Sequence, residues 1–177
     1  CISLSRVTMF NHVEKIEYCA FYYSGLKTLS LPRSIKEMEA MAFSECYELK
    51  SVTLQDGFSA LGGIAFASCP NLETINLPNS LNSIGGGCFN NCEKLTIHHP
   101  KKYWLQFDGQ ALLRKEEPTG LISVLSKASS DHYDLPEGIE SINGLSFFET
   151  DFKEVYLSES IKTIKAQAFY NCPRLEI

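Results

Sequence analysis

The sequence predicts an α/β repeat solenoid of short parallel strands and tight helical turns, with one β-hairpin inserted into it. Two observations carry this prediction. The phrase "AFASCPNL" at residues 65–72 returns almost unchanged as "AFYNCPRL" at 168–175, as "AFSECYEL" from Ala42 and as "CFNNCEKL" from Cys88. A looser copy, "AFYYSGL", starts at Ala20 and puts Ser24 where the cysteine falls in the others. The anchoring phenylalanines Phe21, Phe43, Phe66 and Phe89 lie 22, 23 and 23 residues apart, and Phe147 and Phe169 are again 22 apart. A fixed period of this length marks a repeat architecture, in which no unit buries its apolar side alone but a stack of units does.

Each part of the unit predicts one element. Twelve residues before each phenylalanine stands Met9, Leu31, Leu54, Leu77, Leu135 or Leu157. Two residues earlier come Val7, Leu29, Val52, Ile75, Tyr133 and Val155. Stretches such as "TINLP" and "SVTLQ" therefore alternate with period two, the pattern of a strand with one buried face. Proline follows Leu31, Leu77 and Leu135 and closes the strand. A second short alternation, as in "SLNSI", places Ile16, Met38, Leu61, Ile84, Ile142 or Ile164 five residues before the phenylalanine. The phrase "AFASCPN" is too short for a helix of ordinary length and reads as a tight helical turn.

The period breaks over 96–132, where Phe89 and Phe147 are 58 residues apart. "ALLRKEEPTGLISVL" reads as two apolar strands around a polar turn, with Pro118 and Gly120 supplying the turn chemistry. The expectation is a β-hairpin sitting on the solenoid. The repeats are expected near 4–25, 26–48, 49–71, 72–95, 133–151 and 152–175, within a single domain over 1–177. The chain opens at Cys1 without a methionine and stops at "RLEI", where another repeat would begin, so both ends read as cut.

The chain has 177 residues, 44% of them hydrophobic, which suffices for one domain with a core. Its formal net charge of −5 and the lack of any basic cluster beyond "PKK" at 100–102 argue against nucleic-acid binding. No apolar run approaches the roughly 20 residues that span a bilayer, and no signal peptide is visible.

The unit "LETINLPNSLNSIGGGCFNNCEKL" resembles the BspA-like leucine-rich repeat, also called the Treponema pallidum type. "FDGQALLRKEEPTGLISVLSK" followed by "YDLPEGIESI" resembles the hairpin-bearing variant of that repeat. Departures are Ser24 and Thr150 at the cysteine position and Gln55 at the proline position. The resemblance implies a curved right-handed solenoid, no catalysis, and a place on or outside the cell. It also implies a role in adhesion or in binding host or cell-surface proteins. Fold alone does not fix function.

The residues themselves offer little catalytic chemistry. Cys46, Cys69, Cys92 and Cys172 share one repeat position, so their side chains stack in parallel and adjacent disulfides are awkward. They read as buried structural thiols, since free cysteine behaves as a small hydrophobe. There is no C-x-x-C, and His12, His98, His99 and His132 are scattered, so no metal site is expected. No base lies in phase with a cysteine to make it a nucleophile. "GGG" at 85–87 and "GG" at 62–63 read as turn glycines without the lysine of a phosphate-binding loop. No cofactor is expected.

What remains are surfaces. The outward strand positions Thr8, Ser30, Thr53, Asn76, Asp134 and Tyr156, with Arg6, Thr28, Ser51, Thr74 and Glu154 beside them, form a polar ribbon. It is either a solvated sheet face or a platform for a protein partner. Tyr103, Trp104 and Phe107 are the second candidate, either an interface anchor rimmed by His98 and His99 or a cover over the core. The sequence therefore points to a non-catalytic protein-interaction or adhesion module. A structural spacer in a longer protein and a module appended to an enzyme are the other readings.

Overall fold

A computed structural model describes residues 2–99, 105–116, 119–125 and 131–176. The chain winds as a solenoid of parallel strands in two rows. One row is β2 (Thr28–Ser30), β4 (Ser51–Thr53), β6 (Thr74–Asn76) and β8 (Thr96–His98), hydrogen-bonded in that order. The other is β1 (Lys15–Ile16), β3 (Glu37–Met38), β5 (Ala60–Leu61) and β7 (Ser83–Ile84). Every strand pair within these rows is parallel and in repeat register, with Leu29 opposite Val52 and Val52 opposite Ile75. The alternation seen in the sequence sets this register, since a slip of one residue would expose each buried row.

The phenylalanines form the spine of the first core. Phe21 and Phe43 stack at 4.9 Å, Phe43 and Phe66 at 5.6 Å, and Phe66 and Phe89 at 6.1 Å, all within 13° of parallel. Phe43, Phe66 and Phe89 are fully buried. The stack resumes at Phe147 and Phe169, 4.7 Å apart.

The expected helical turns are not helices: the described residues contain none. The reason lies in the backbone. Each phenylalanine is flanked, two residues before and two after, by residues at positive φ, as in Cys19 and Tyr23, Met41 and Glu45, and Ile64 and Ser68. Left-handed residues interrupt a right-handed helix and turn alternate N–H groups sideways. Thus Ala20, Tyr22 and Ser24 donate back within the turn to Glu17, Cys19 and Phe21. Cys19, Phe21 and Tyr23 instead donate to Ala40, Ala42 and Ser44 of the next coil. A turn that spends half its donors on its neighbour is a rung of the stack, and the fold is a β-solenoid rather than an α/β one.

The insert is a three-stranded meander. β9 (Leu105–Phe107) pairs antiparallel with β10 (Ala111–Arg114), which pairs antiparallel with β11 (Gly120–Val124). It does not lie on the outside of the solenoid. β11 pairs parallel with β13 (Ser141–Ile142), and β13 with β15 (Thr163–Ile164), so the meander takes a place in the stack. The remaining strands, β12 (His132–Asp134) and β14 (Glu154–Tyr156), form a separate parallel pair. Both faces of the meander are covered. Leu112 and Ile122 pack into the core of the Phe43–Phe66–Phe89 coils, while Ala111, Leu113, Leu121 and Val124 pack into a second core around Phe147.

Glycines make the join possible: Gly63, Gly86 and Gly87 lie in turns, as expected, and they also let backbones meet. A Cβ on Gly86 would lie 1.8 Å from the Gly144 carbonyl oxygen, and one on Gly85 would lie 2.2 Å from the Gly63 nitrogen. Of the five, only Gly87 has a positive φ. All five are close-approach positions, where coils meet backbone to backbone, Gly87 included, whose Cβ would lie 2.3 Å from the Leu145 carbonyl oxygen.

Candidate protein-interaction surface

Each repeat cysteine ties its coil to the one before it. The Cys46 thiol donates to the Phe21 carbonyl at 3.3 Å, Cys69 to Phe43 at 3.2 Å, Cys92 to Phe66 at 3.0 Å and Cys172 to Phe147 at 2.9 Å. Where the repeat departs from cysteine, a buried hydroxyl stands there with different partners. Ser24 Oγ lies 3.2 Å from Cys46 Sγ, and Thr150 donates to the Phe147 carbonyl at 2.9 Å. Cys46, Cys69 and Cys92 are fully buried and unbridged, whereas Cys172, in the last coil, is only half-buried. Burial pushes the Cys69 and Cys88 thiols up, and the Cys46 thiol is raised first by its neighbour Cys69 and then by burial. A thiol held protonated in an apolar stack is a poor nucleophile and a poor metal ligand. Among the described residues no cluster of His, Cys, Asp and Glu is arranged to hold a metal ion.

The ribbon residues fall on two sheets. Ser30, Thr53 and Asn76 stand opposite one another across β2, β4 and β6, and all three are exposed. Beside them Thr28, Ser51 and Thr74 form the second outward row. β8 extends both rows with Thr96 and His98. His98 is therefore a ribbon residue and not part of the rim of the insert's aromatic group, and the buried Ile97 between two exposed residues is the same signal that marks the other strands. This sheet carries hydroxyls and amides and almost no charge.

Tyr156 lies on the other sheet. Asp134 faces Tyr156, and His132 faces Glu154, across β12 and β14. The Tyr156 ring is 54% exposed and meets His132 edge-on at 5.8 Å. Its hydroxyl donates to Glu154 Oε2 at 2.6 Å, and that hydrogen bond pushes the phenol pKa up. An ion-pair network lies at the start of the two strands. Asp131 pairs with Lys153 at 2.6 Å and with Arg174 at 2.8 Å, and Arg174 reaches Asp151 at 2.9 Å. The Lys153 contact, with help from Arg174, holds the Asp131 carboxyl below its usual range. Thr8 is exposed but lies in no strand.

Tyr103 and Trp104 lie outside the described residues. Phe107 of the same group is half-buried and packs against the first core, and Leu105 beside it is buried. At the join, Arg114, Glu116, Ser141, Asn143 and Lys165 border an open groove of about 460 Å³.

One buried residue escaped the sequence reading. Asn90 is fully buried, and its amide spans the interruption. Nδ2 donates to the carbonyls of Leu145 at 3.1 Å and Phe148 at 3.0 Å. Oδ1 accepts from Ser123 Oγ at 2.7 Å and from the Val124 N–H at 3.1 Å. Coil, meander and following coil are thus joined by one fully satisfied side chain.

The family model for the BspA type leucine rich repeat region matches six copies over residues 1–105 and 123–177. The chain belongs to the BspA-type leucine-rich repeat family. Among solved structures it is similar to the pneumococcal vaccine antigen PcpA, with 28% identity over 93% of this chain and a TM-score of 0.69. It is also similar in fold to a leucine-rich repeat protein from Bacteroides ovatus, with 22% identity over 99% of this chain and a TM-score of 0.61. A leucine-rich repeat protein from Eubacterium ventriosum shares 15% identity over 89% of the chain, with a TM-score of 0.61. The chain spans 42%, 43% and 48% of these three structures respectively. No curated protein matches it. Among the described residues no helix is long and apolar enough to cross a membrane.

Proposed function

We propose that this BspA-type repeat domain is a non-catalytic protein-recognition module of a cell-surface or secreted protein, with a role in adhesion. The observation that carries this reading is the polar row Ser30, Thr53, Asn76 and His98. It is exposed, nearly uncharged and held in register by a buried core beneath it. Neighbouring strands lie about 4.8 Å apart, so the row offers a partner a broad and regular face. The similarity to a pneumococcal vaccine antigen supports a place where host proteins are met. Tyr156, on the separate β12–β14 pair, is a candidate anchor outside this row, since tyrosine is enriched among residues that dominate binding energy and serine and threonine are not. Tyr103 and Trp104 form the second anchor. The module spans 1–177 as one domain of six repeats, with the insert lying between β8 and β12.

The test is capture of host-surface and matrix proteins by the immobilised domain. Tyr156→Ser is expected to weaken a captured partner by about tenfold or more while leaving the melting temperature unchanged. Trp104→Ser is expected to do the same if the partner uses the insert. A partner that ignores both of these and also Thr53→Lys, on the polar row itself, places the contact elsewhere, and a domain that captures nothing is a spacer.

A further inference from the structure

A tyrosine cluster lies on the turn edge of the first two coils, away from the ribbon. Tyr22 and Tyr23 follow Phe21, and Tyr47 follows the equivalent turn one coil on. Tyr23 meets Tyr47 edge-on at 5.5 Å, and Tyr22 lies 6.4 Å from Tyr23. Tyr23 is 38% and Tyr47 42% exposed. These rings are held, not loose. The hydroxyls of Tyr22 and Tyr47 both donate to the Glu45 carboxylate, one to each oxygen, at 2.5 and 3.1 Å.

The cluster is also anionic. Glu45 is bound by two neutral phenols. Glu149, brought in from a coil more than a hundred residues later in sequence, is bound by Ser68 at 3.3 Å and Asn171 at 3.2 Å. Among the described residues neither carboxylate is in an ion pair. Lys94 donates to Asn71 Oδ1 at 2.7 Å, and Asn71 Nδ2 donates to the Tyr47 carbonyl at 2.8 Å, so this lysine beside the edge is engaged by a neutral amide. Both carboxylates act on the same rings. The Glu45 hydrogen bond, followed by burial and by the charge of Glu45 and Glu149, pushes Tyr22 up to about 12. Burial first, then Glu45 and Glu149, does the same to Tyr47.

An aromatic ring face attracts a cation, and an unneutralised carboxylate beside it adds charge attraction. A guanidinium suits such a site better than an ammonium, since it stacks on rings and is less strongly hydrated. A neutral ligand would leave both carboxylates uncompensated. We propose that the edge formed by Tyr22, Tyr23, Tyr47, Glu45 and Glu149 binds an arginine-bearing segment of a protein partner. This rests on the reading of the domain as a protein-recognition module, and assigns it a second contact surface.

The test uses a peptide of alternating arginine and serine, titrated into the intact chain by calorimetry. The control peptide carries citrulline, which keeps the shape and loses the charge. The arginine peptide is expected to bind, the citrulline peptide at least about fivefold more weakly, and added salt to weaken the difference. Glu45→Gln and Tyr47→Ala are each expected to lower arginine-peptide affinity by about fivefold or more, with an unchanged melting temperature. Tyr156→Ser is expected to leave it unchanged. The proposal falls if arginine and citrulline peptides bind alike. It falls equally if the edge substitutions have no effect in a folded chain, or if Tyr47→Ala abolishes binding of a neutral oligosaccharide while the arginine peptide does not bind. Failure here with a Tyr156-dependent partner still captured leaves the recognition reading standing; failure of both removes it.

Discussion

Cys69 shows what a repeated thiol contributes to a coil. It fills the space under the turn and satisfies the Phe43 carbonyl with its weak donor, two roles that alanine or serine would each perform only in part. Burial makes the Cys69 and Cys88 thiols resist ionisation, and the neighbouring Cys69 followed by burial does so for Cys46. Their folded pKa values lie above the unfolded one of about 8.5, so their stabilising effect is complete below that pH. Above it the unfolded chain releases protons that the folded chain keeps, and stability falls as pH rises. Each such thiol contributes a slope of up to about 1.4 kcal/mol per pH unit. Urea melts at about pH 8 and about pH 10 are expected to show a falling midpoint, with a shallower fall for Cys88→Ala. Parallel falls for the two proteins would show that Cys88 ionises in the folded state. Asn90 is the counterpart that the repeat hides. Its position is Tyr22, Ser44, Ala67, Phe148 or Tyr170 in the other coils, so an asparagine there looked like ordinary repeat variation. Its meaning depends on Ser123 and Val124, which only the fold brings to it.

At the scale of elements, the insert is the feature least like its sequence expectation. "ALL" and "LISVL" are apolar on consecutive residues, a sign of burial on both faces. That sign was legible, but an insertion into a repeat reads most simply as a decoration. The pairing of β11 with β13 decides otherwise. Adjacent residues Leu112 and Leu113 give the test, because they point into different cores and are 0% and 6% exposed. Leu112→Ala and Leu113→Ala are each expected to cost about 2–5 kcal/mol in denaturant melts. A meander lying on the surface would tolerate one of the two with little loss. The turn rows carry a similar lesson. Their apolar spacing was correct, but the paired left-handed residues around each phenylalanine leave no mark in composition. Those positions hold cysteine, tyrosine, glutamate and isoleucine as well as asparagine and glycine.

For the whole molecule, period and alternation carried the stack, its parallel strands and the buried row in each strand. A side chain repeated every 22 or 23 residues meets its own copy, and that needs no knowledge of long-range folding. Where the period stops, so does this reasoning. The division into two cores, the contact between Gly86 and Gly144, and the gathering of Tyr22, Tyr47 and Glu149 on one edge all depend on how the chain re-enters the stack. Stability in a stacked array comes from contacts between neighbouring units, so a meander built into the stack shares the protection of its neighbours. Amide hydrogen exchange measures this directly. The account predicts that Gly87, bonded to the Ile122 carbonyl at 2.7 Å, and Val124, bonded to Asn90 and Ser146, exchange as slowly as Val52 and Ile75 of the central strands. Exchange of Gly87 and of 120–124 within seconds, while Val52 and Ile75 stay protected, would contradict it and put the meander outside the solenoid.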